Sequence, residues 1–112
     1  QKVYPIPVGG SNAMGTWGYI EAVDELLDQC KSMKIKLDHV VFACGSGGTA
    51  AGIGLGIMMA HGVMDNLQNI KTTSVPKVHA MGVCDYPDYF YKKISEIAIE
   101  LGLNTNSIPS SV

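Results

Sequence analysis

The chain has 112 residues (11.9 kDa), the size of one small domain. Its hydrophobic fraction of 46% excludes a disordered polyelectrolyte, and its eight basic residues are all lysines set against ten acidic residues, which argues against a nucleic-acid-binding protein. No apolar run has the roughly 18 residues that a transmembrane helix needs, so we expect no membrane partner.

The first third of the chain predicts an extended segment, counted as the first of three strands, followed by a long helix. Val3–Val8 is apolar, but its two prolines exclude a helix and a central strand position that must donate a hydrogen bond. A glycine turn then offers Ser11 or Asn12 as the N-cap of a helix from about Ala13 to Met33. The apolar residues of this helix recur with a period of 3.6.

The middle of the chain predicts a strand, a glycine loop and a second helix. Leu37–Cys44 is a short apolar run of the kind found in buried strands. The helix that follows, from about Thr49 to His61, is apolar almost all round, and such a helix is usually buried on several sides.

The last third predicts a loop, a third strand and a third helix. Asp65–Pro76 is polar and irregular, Lys77–Cys84 has the pattern of a strand, and a helix runs from the turn at 85–88 to about Leu103. The tail, Asn104–Val112, is rich in turn residues.

This alternation predicts an α/β fold of three layers with a parallel sheet. Three helices do not cover both faces of such a sheet, and the apolar second helix requires neighbours that the chain does not supply. The chain also begins at Gln1 rather than at a methionine. We therefore expect it to be a segment of a larger protein.

The loop Gly45-Ser46-Gly47-Gly48-Thr49 carries the strongest chemical signal in the sequence. A buried strand ends, glycines form a tight turn and a helix begins. Backbone N–H groups and the positive end of a helix dipole then converge, which suits an anion and above all a phosphate. The hydroxyls of Ser46 and Thr49 add donors.

Several ligands remain open at this loop from the residues alone. A nucleoside triphosphate site requires a lysine that the loop lacks, and a dinucleotide is weakly indicated because Gly45-x-Gly47-x-x-Ala50 meets only the relaxed fingerprint. Two residues, Asp65 and Asp85, are candidates for the acid that would bind the ribose, but neither stands at the expected position. A glycine turn without a ligand is the remaining alternative.

Four blocks of sequence together carry a resemblance: Gly9–Ala13, Gly15–Ala22, Ala43–Thr49 and Val83–Tyr91. With them, the chain resembles the family of D-cysteine desulfhydrases and 1-aminocyclopropane-1-carboxylate deaminases. These are pyridoxal-phosphate enzymes of fold type II, with the fold of the tryptophan synthase β-subunit. The blocks cover most of the chain except the 65–76 loop and the tail.

The resemblance implies roles for two of the blocks. Gly45, Ser46, Gly47, Gly48 and Thr49 would hold the phosphate of pyridoxal 5'-phosphate, and Gly9, Gly10 and Ser11 would line the pocket for a small amino-acid substrate. Gly10 stands where the deaminase pattern has cysteine, which favours the desulfhydrase. The turn at Gly9–Ser11 could equally be a plain helix cap.

The resemblance also implies what this chain lacks. The family's Schiff-base lysine belongs upstream of Gln1, and none of the eight lysines here stands in a matching motif, so no catalytic residue is assigned and we expect the chain alone to be inactive. Residues 1–112 would form part of the large cofactor-binding domain of a protein that is a homodimer at full length.

The remaining candidates point to structure rather than chemistry. Three cysteines, an odd number without the spacing of a disulfide framework, favour a reducing compartment, so we expect a cytoplasmic or mitochondrial protein. Cys44, Cys84, His39 and His79 show no metal-ligand spacing, so no metal is assigned. Two non-catalytic interpretations stay open: a phosphate-ligand binding module, and a truncated relative of the enzyme that survives as a structural or interaction piece.

Overall fold

The computed structural model describes residues 2–62, 75–82 and 87–103. After a single 3-10 turn at Val8–Gly10, its helices and strands are α1 (Ala13–Ser32), β1 (His39–Cys44), α2 (Gly48–Ala60), β2 (Lys77–Gly82) and α3 (Pro87–Glu100). All three predicted helices are present, whereas most of the predicted 65–76 loop and the whole tail lie outside the described residues. Within these ranges no helix is long and apolar enough to cross a bilayer.

Local hydrogen bonds explain where α1 begins and ends. Asn12 is extended, and its Oδ1 accepts the N–H of Gly15 at 2.8 Å, so Asn12 is the cap among the two predicted candidates. At the other end Lys34 adopts a φ of +55°, and the N–H of Ile35 donates to the carbonyl of Cys30 at 2.8 Å. This is the Schellman arrangement, which turns the chain back towards β1.

The two strands pair in parallel, with His39 opposite Lys77 and Cys44 opposite Gly82. The chain between them passes through α2, so the α/β class and the parallel sheet are confirmed. The expectation of a further strand near the start is wrong, since residues 2–7 are irregular and exposed. Pro5 and Pro7 have no N–H to donate to a ladder.

Only one face of the described sheet is covered. Phe42, Cys44 and Ala80 pack against the helices, whereas Val41 is 65% exposed on the opposite face and Met81 is 58% exposed. The prediction of a buried strand over Leu37–Cys44 is therefore wrong for the part of the chain that the structure describes. The buried residues of the core that joins the sheet to α2 and α3 are Cys44, Ala50, Ala51, Leu55, Phe90, Ile94, Ile97 and Ala98.

Helix α2 lies at the centre of the described residues and packs against both α1 and α3. Its glycines 48, 52 and 56 recur every four residues and so form one stripe, which lies against α1 and the turn before it. A Cβ on Gly56 would lie 3.0 Å from Val23 Cβ, and a Cβ on Gly52 would lie 3.1 Å from the carbonyl oxygen of Thr16. The stripe lets the two helices approach more closely than larger residues would permit.

Candidate functional site

The glycine loop lies at the carboxyl end of β1, where it leads directly into α2. Gly47 adopts a φ of +99°, a left-handed conformation that strongly favours glycine. The first helical bond joins the N–H of Ala51 to the carbonyl of Gly47 at 2.9 Å. The N–H groups of Gly48, Thr49 and Ala50 therefore precede the first intrahelical donor and point out of the helix end.

The turn at Gly9–Ser11 lies directly against this loop. The hydroxyl of Ser11 accepts the N–H of Gly48 at 3.1 Å, and Ser11 Oγ lies 2.5 Å from Ser46 Oγ. Ser11 is only 3% exposed, and a Cβ on Gly9 would lie 2.9 Å from Ser46 Cβ. The structure thus brings together two segments that are about 35 residues apart in sequence, one predicted for the substrate and one for the phosphate.

Two glycines in these segments have free space where a side chain would stand. Apart from the chain neighbours, no atom of the described residues lies within 4 Å of a Cβ built on Gly45, and the same is true of Gly10. Gly45 also has an ordinary φ, so its lack of a side chain is not needed for the backbone conformation. The N–H groups of Thr49 and Ala50, which precede the first intrahelical donor, the two serine hydroxyls and the space beside Gly45 all fit a phosphate group.

A cation that was expected to be an ordinary surface lysine lies beside the loop. A Cβ on Gly47 would lie 3.0 Å from Lys93 Cγ and 3.3 Å from Lys93 Cβ, and Lys93 is half-buried. The sequence does carry a signal for this position, because Lys93 follows the core residue Phe90 by three residues and so lies next to it on α3.

The other candidate residues do not gather at the loop into a reactive cluster. His39 Nδ1 lies 2.9 Å from His79 Nε2 on the uncovered face of the sheet, and the described ranges contain no group of three side chains that could hold a metal. Cys44 is buried in the core. Phe90 packs in the core, with Tyr89 at its edge. Three other candidates lie outside the described residues: Asp65, Cys84 and Asp85.

Comparison with known proteins gives strong matches along nearly the whole chain. The bifunctional D-cysteine desulfhydrase/1-aminocyclopropane-1-carboxylate deaminase of Arabidopsis thaliana, named as mitochondrial, is 45% identical over 112 residues, which cover 96% of this chain and 25% of that protein. A Thermotoga maritima protein named as a candidate 1-aminocyclopropane-1-carboxylate deaminase is 38% identical over 95% of this chain and 31% of its own length.

A shorter match points the same way. The D-cysteine desulfhydrase of Klebsiella pneumoniae is 48% identical over 56 residues, half of this chain and 17% of that protein. No protein-family model matches the chain. Along nearly its whole length the chain is nevertheless similar to D-cysteine desulfhydrases and 1-aminocyclopropane-1-carboxylate deaminases, and it spans about a quarter to a third of the length of the two relatives that it matches throughout.

Proposed function

We propose that this chain anchors the phosphate of pyridoxal 5'-phosphate in a D-cysteine desulfhydrase. The observation that carries the proposal is the contact between the two predicted segments, in which Ser11 bridges the start of α2 and Ser46. The overall reaction would convert D-cysteine and one water into pyruvate, ammonia and hydrogen sulfide. When bound, the cofactor withdraws electrons from the substrate and so permits loss of the sulfur.

In this proposal the glycine loop fixes the position of the cofactor. Gly45, Ser46, Gly47, Gly48 and Thr49 would bind the phosphate through backbone N–H groups and the hydroxyls of Ser46 and Thr49, helped by the positive end of α2. A phosphate fixed at one point restricts how the rest of the cofactor can be placed, which orients it towards the substrate. Ser11 contacts both sides of this junction, since it accepts the N–H of Gly48 and lies beside Ser46 Oγ, and these contacts would help to hold the loop in shape.

The turn at Gly9, Gly10 and Ser11 would form the substrate side of the same pocket. Gly10 has a φ of +61°, which a cysteine adopts only with strain, and this favours the desulfhydrase over the deaminase. The two activities separate in one assay of the native gene product. We expect sulfide from D-cysteine, whereas a deaminase would open the ring of 1-aminocyclopropane-1-carboxylate without releasing sulfide from D-cysteine.

The remaining parts of the proposal concern the whole protein. Residues 1–112 form part of its cofactor-binding domain, the lysine that bonds the cofactor lies upstream of this segment, and the protein is a homodimer in the cytoplasm or mitochondrion. The Arabidopsis relative is named as mitochondrial and is about four times as long as this chain, which supports the mitochondrial location and the assignment of the chain to a longer protein.

The experiment that tests the proposal is the intact mass of the native gene product after treatment with borohydride. Borohydride fixes pyridoxal covalently to its lysine, so one spectrum reports both the chain length and the cofactor. We expect a chain about three to four times longer than this segment, as in its relatives, carrying the adduct. A bare species of 11.9 kDa would contradict the enzyme and favour a binding module.

Replacing Gly45 by alanine tests whether the open space at the loop belongs to the phosphate. Within the described part of the chain, Gly45→Ala meets no atom within 4 Å beyond its chain neighbours and needs no unusual φ, so the free energy of unfolding should change by no more than about 0.5 kcal/mol. The methyl group would instead crowd the ligand, and we expect the Kd for pyridoxal phosphate to rise by about tenfold or more.

Gly54→Ala is the matched control for that variant, because Gly54 is also open but lies further along α2. It should leave the Kd for pyridoxal phosphate unchanged in a fluorescence titration. Equal affinities of the Gly45→Ala and Gly54→Ala variants for pyridoxal phosphate would show that Gly45 does not line the phosphate site.

A further inference from the structure

Lys93 lies where its charge is unfavourable unless an anion is present. Its Cβ and Cγ pack over Gly47, at the start of α2, and the ammonium is separated from Cγ by only two methylene groups. A helix N-terminus carries a partial positive charge and is normally accompanied by acidic side chains. A lysine at this end therefore adds like charge to the dipole.

No carboxylate of the described residues compensates Lys93. The one ion pair within residues 2–62, 75–82 and 87–103 joins Lys36 to Asp38, far along the chain from α3. Glu96 follows Lys93 by three residues and could pair with it across one turn of helix, but it does not. The positive end of the α2 dipole and the lysine beside it together form a region of positive potential.

We propose that Lys93 is a further cofactor-binding residue, whose ammonium pairs with the phosphate held by the Gly45–Thr49 loop. This inference rests on the proposed function, since that function supplies the phosphate. Packing against Gly47 fixes the lysine stem, so the charge stays beside the loop at a smaller entropic cost than a freely moving lysine would incur. A glycine is required at position 47 partly because a Cβ there would press on this stem.

The test uses the native gene product, freed of cofactor, and three single variants. Lys93→Met keeps the packed stem and removes the charge, and Lys93→Arg keeps the charge. Lys92→Met is the matched control, because Lys92 precedes Lys93 on α3 but is exposed. Each protein is titrated with pyridoxal phosphate, with pyridoxal, which has no phosphate, and with inorganic phosphate.

We expect Lys93→Met to raise the Kd for pyridoxal phosphate about tenfold, the scale of one charge-assisted contact. The Kd for pyridoxal should not change, Lys93→Arg should retain most of the affinity, and Lys92→Met should bind as the unmodified protein does. Added salt should weaken binding less in Lys93→Met than in the unmodified protein, because the screened interaction is already absent.

Three results would overturn the assignment. They are an unchanged Kd for pyridoxal phosphate in Lys93→Met, an equal loss for pyridoxal and pyridoxal phosphate, and an equal loss in Lys92→Met. If the unmodified protein binds inorganic phosphate in a way that depends on Lys93 but does not bind pyridoxal phosphate, the role of Lys93 stands and the proposed function is wrong. If it binds neither, both are wrong.

Discussion

Thr49→Asp is expected to lower the affinity of the native gene product for pyridoxal phosphate by at least about 100-fold, because like charges placed together in a site cost several kcal/mol. Thr49 is in the first turn of α2, next to the N–H groups that would bind the phosphate. An acidic residue at this position favours the helix itself, since it compensates the helix dipole. The loss should therefore appear in cofactor binding and not in folding.

Thr49→Asn is the matched control, since asparagine has the shape of aspartate without its charge. Equilibrium dialysis of pyridoxal phosphate with both variants measures the two dissociation constants, and circular dichroism checks that both are folded. We expect Thr49→Asn to bind within about tenfold of the unmodified protein, the usual scale of one lost hydrogen bond. If Thr49→Asp retains cofactor as well as Thr49→Asn does, the phosphate does not lie at this loop.

Gly52→Ala is expected to destabilise the protein by about 1–3 kcal/mol, although alanine is the better helix former. Gly52 is the middle glycine of the stripe on α2, and a Cβ there would overlap Tyr19 Cβ and lie 3.1 Å from the carbonyl oxygen of Thr16. Tyr19 Cβ and the Thr16 carbonyl are fixed to the backbone of α1, so relief requires the helices to move apart.

Gly54→Ala again provides the comparison, because it changes the same residue type two positions along the same helix. Among residues 2–62, 75–82 and 87–103, nothing outside the α2 backbone lies within 4 Å of a Cβ on Gly54, so this variant should be more stable by about 0.5–1 kcal/mol through helix propensity alone. Urea denaturation of the two variants measures the difference. A Gly52→Ala protein as stable as the Gly54→Ala protein would show that the stripe does not set the distance between α1 and α2.

Much of the fold follows from local sequence patterns. The cap at Asn12 was one of two predicted candidates, and the strand, glycine loop and helix around Gly45–Thr49 were predicted in the right order with ends within two residues. These features are local, since a cap or a tight turn depends on residues only a few positions apart. The extended segment was predicted as a strand, but its prolines leave it without the donors that pairing requires.

What the sequence alone determined about this protein is its class and the glycine loop between a strand and a helix, because periodicity and glycine spacing carry that information within short windows. Tertiary structure alone decided which distant residues meet. Ser11 reaches Gly48 and Ser46, and Lys93 lies over Gly47, because α1 and α3 both pack against α2. Contacts of this kind depend on how whole helices pack against each other, and a short window of sequence does not contain that information.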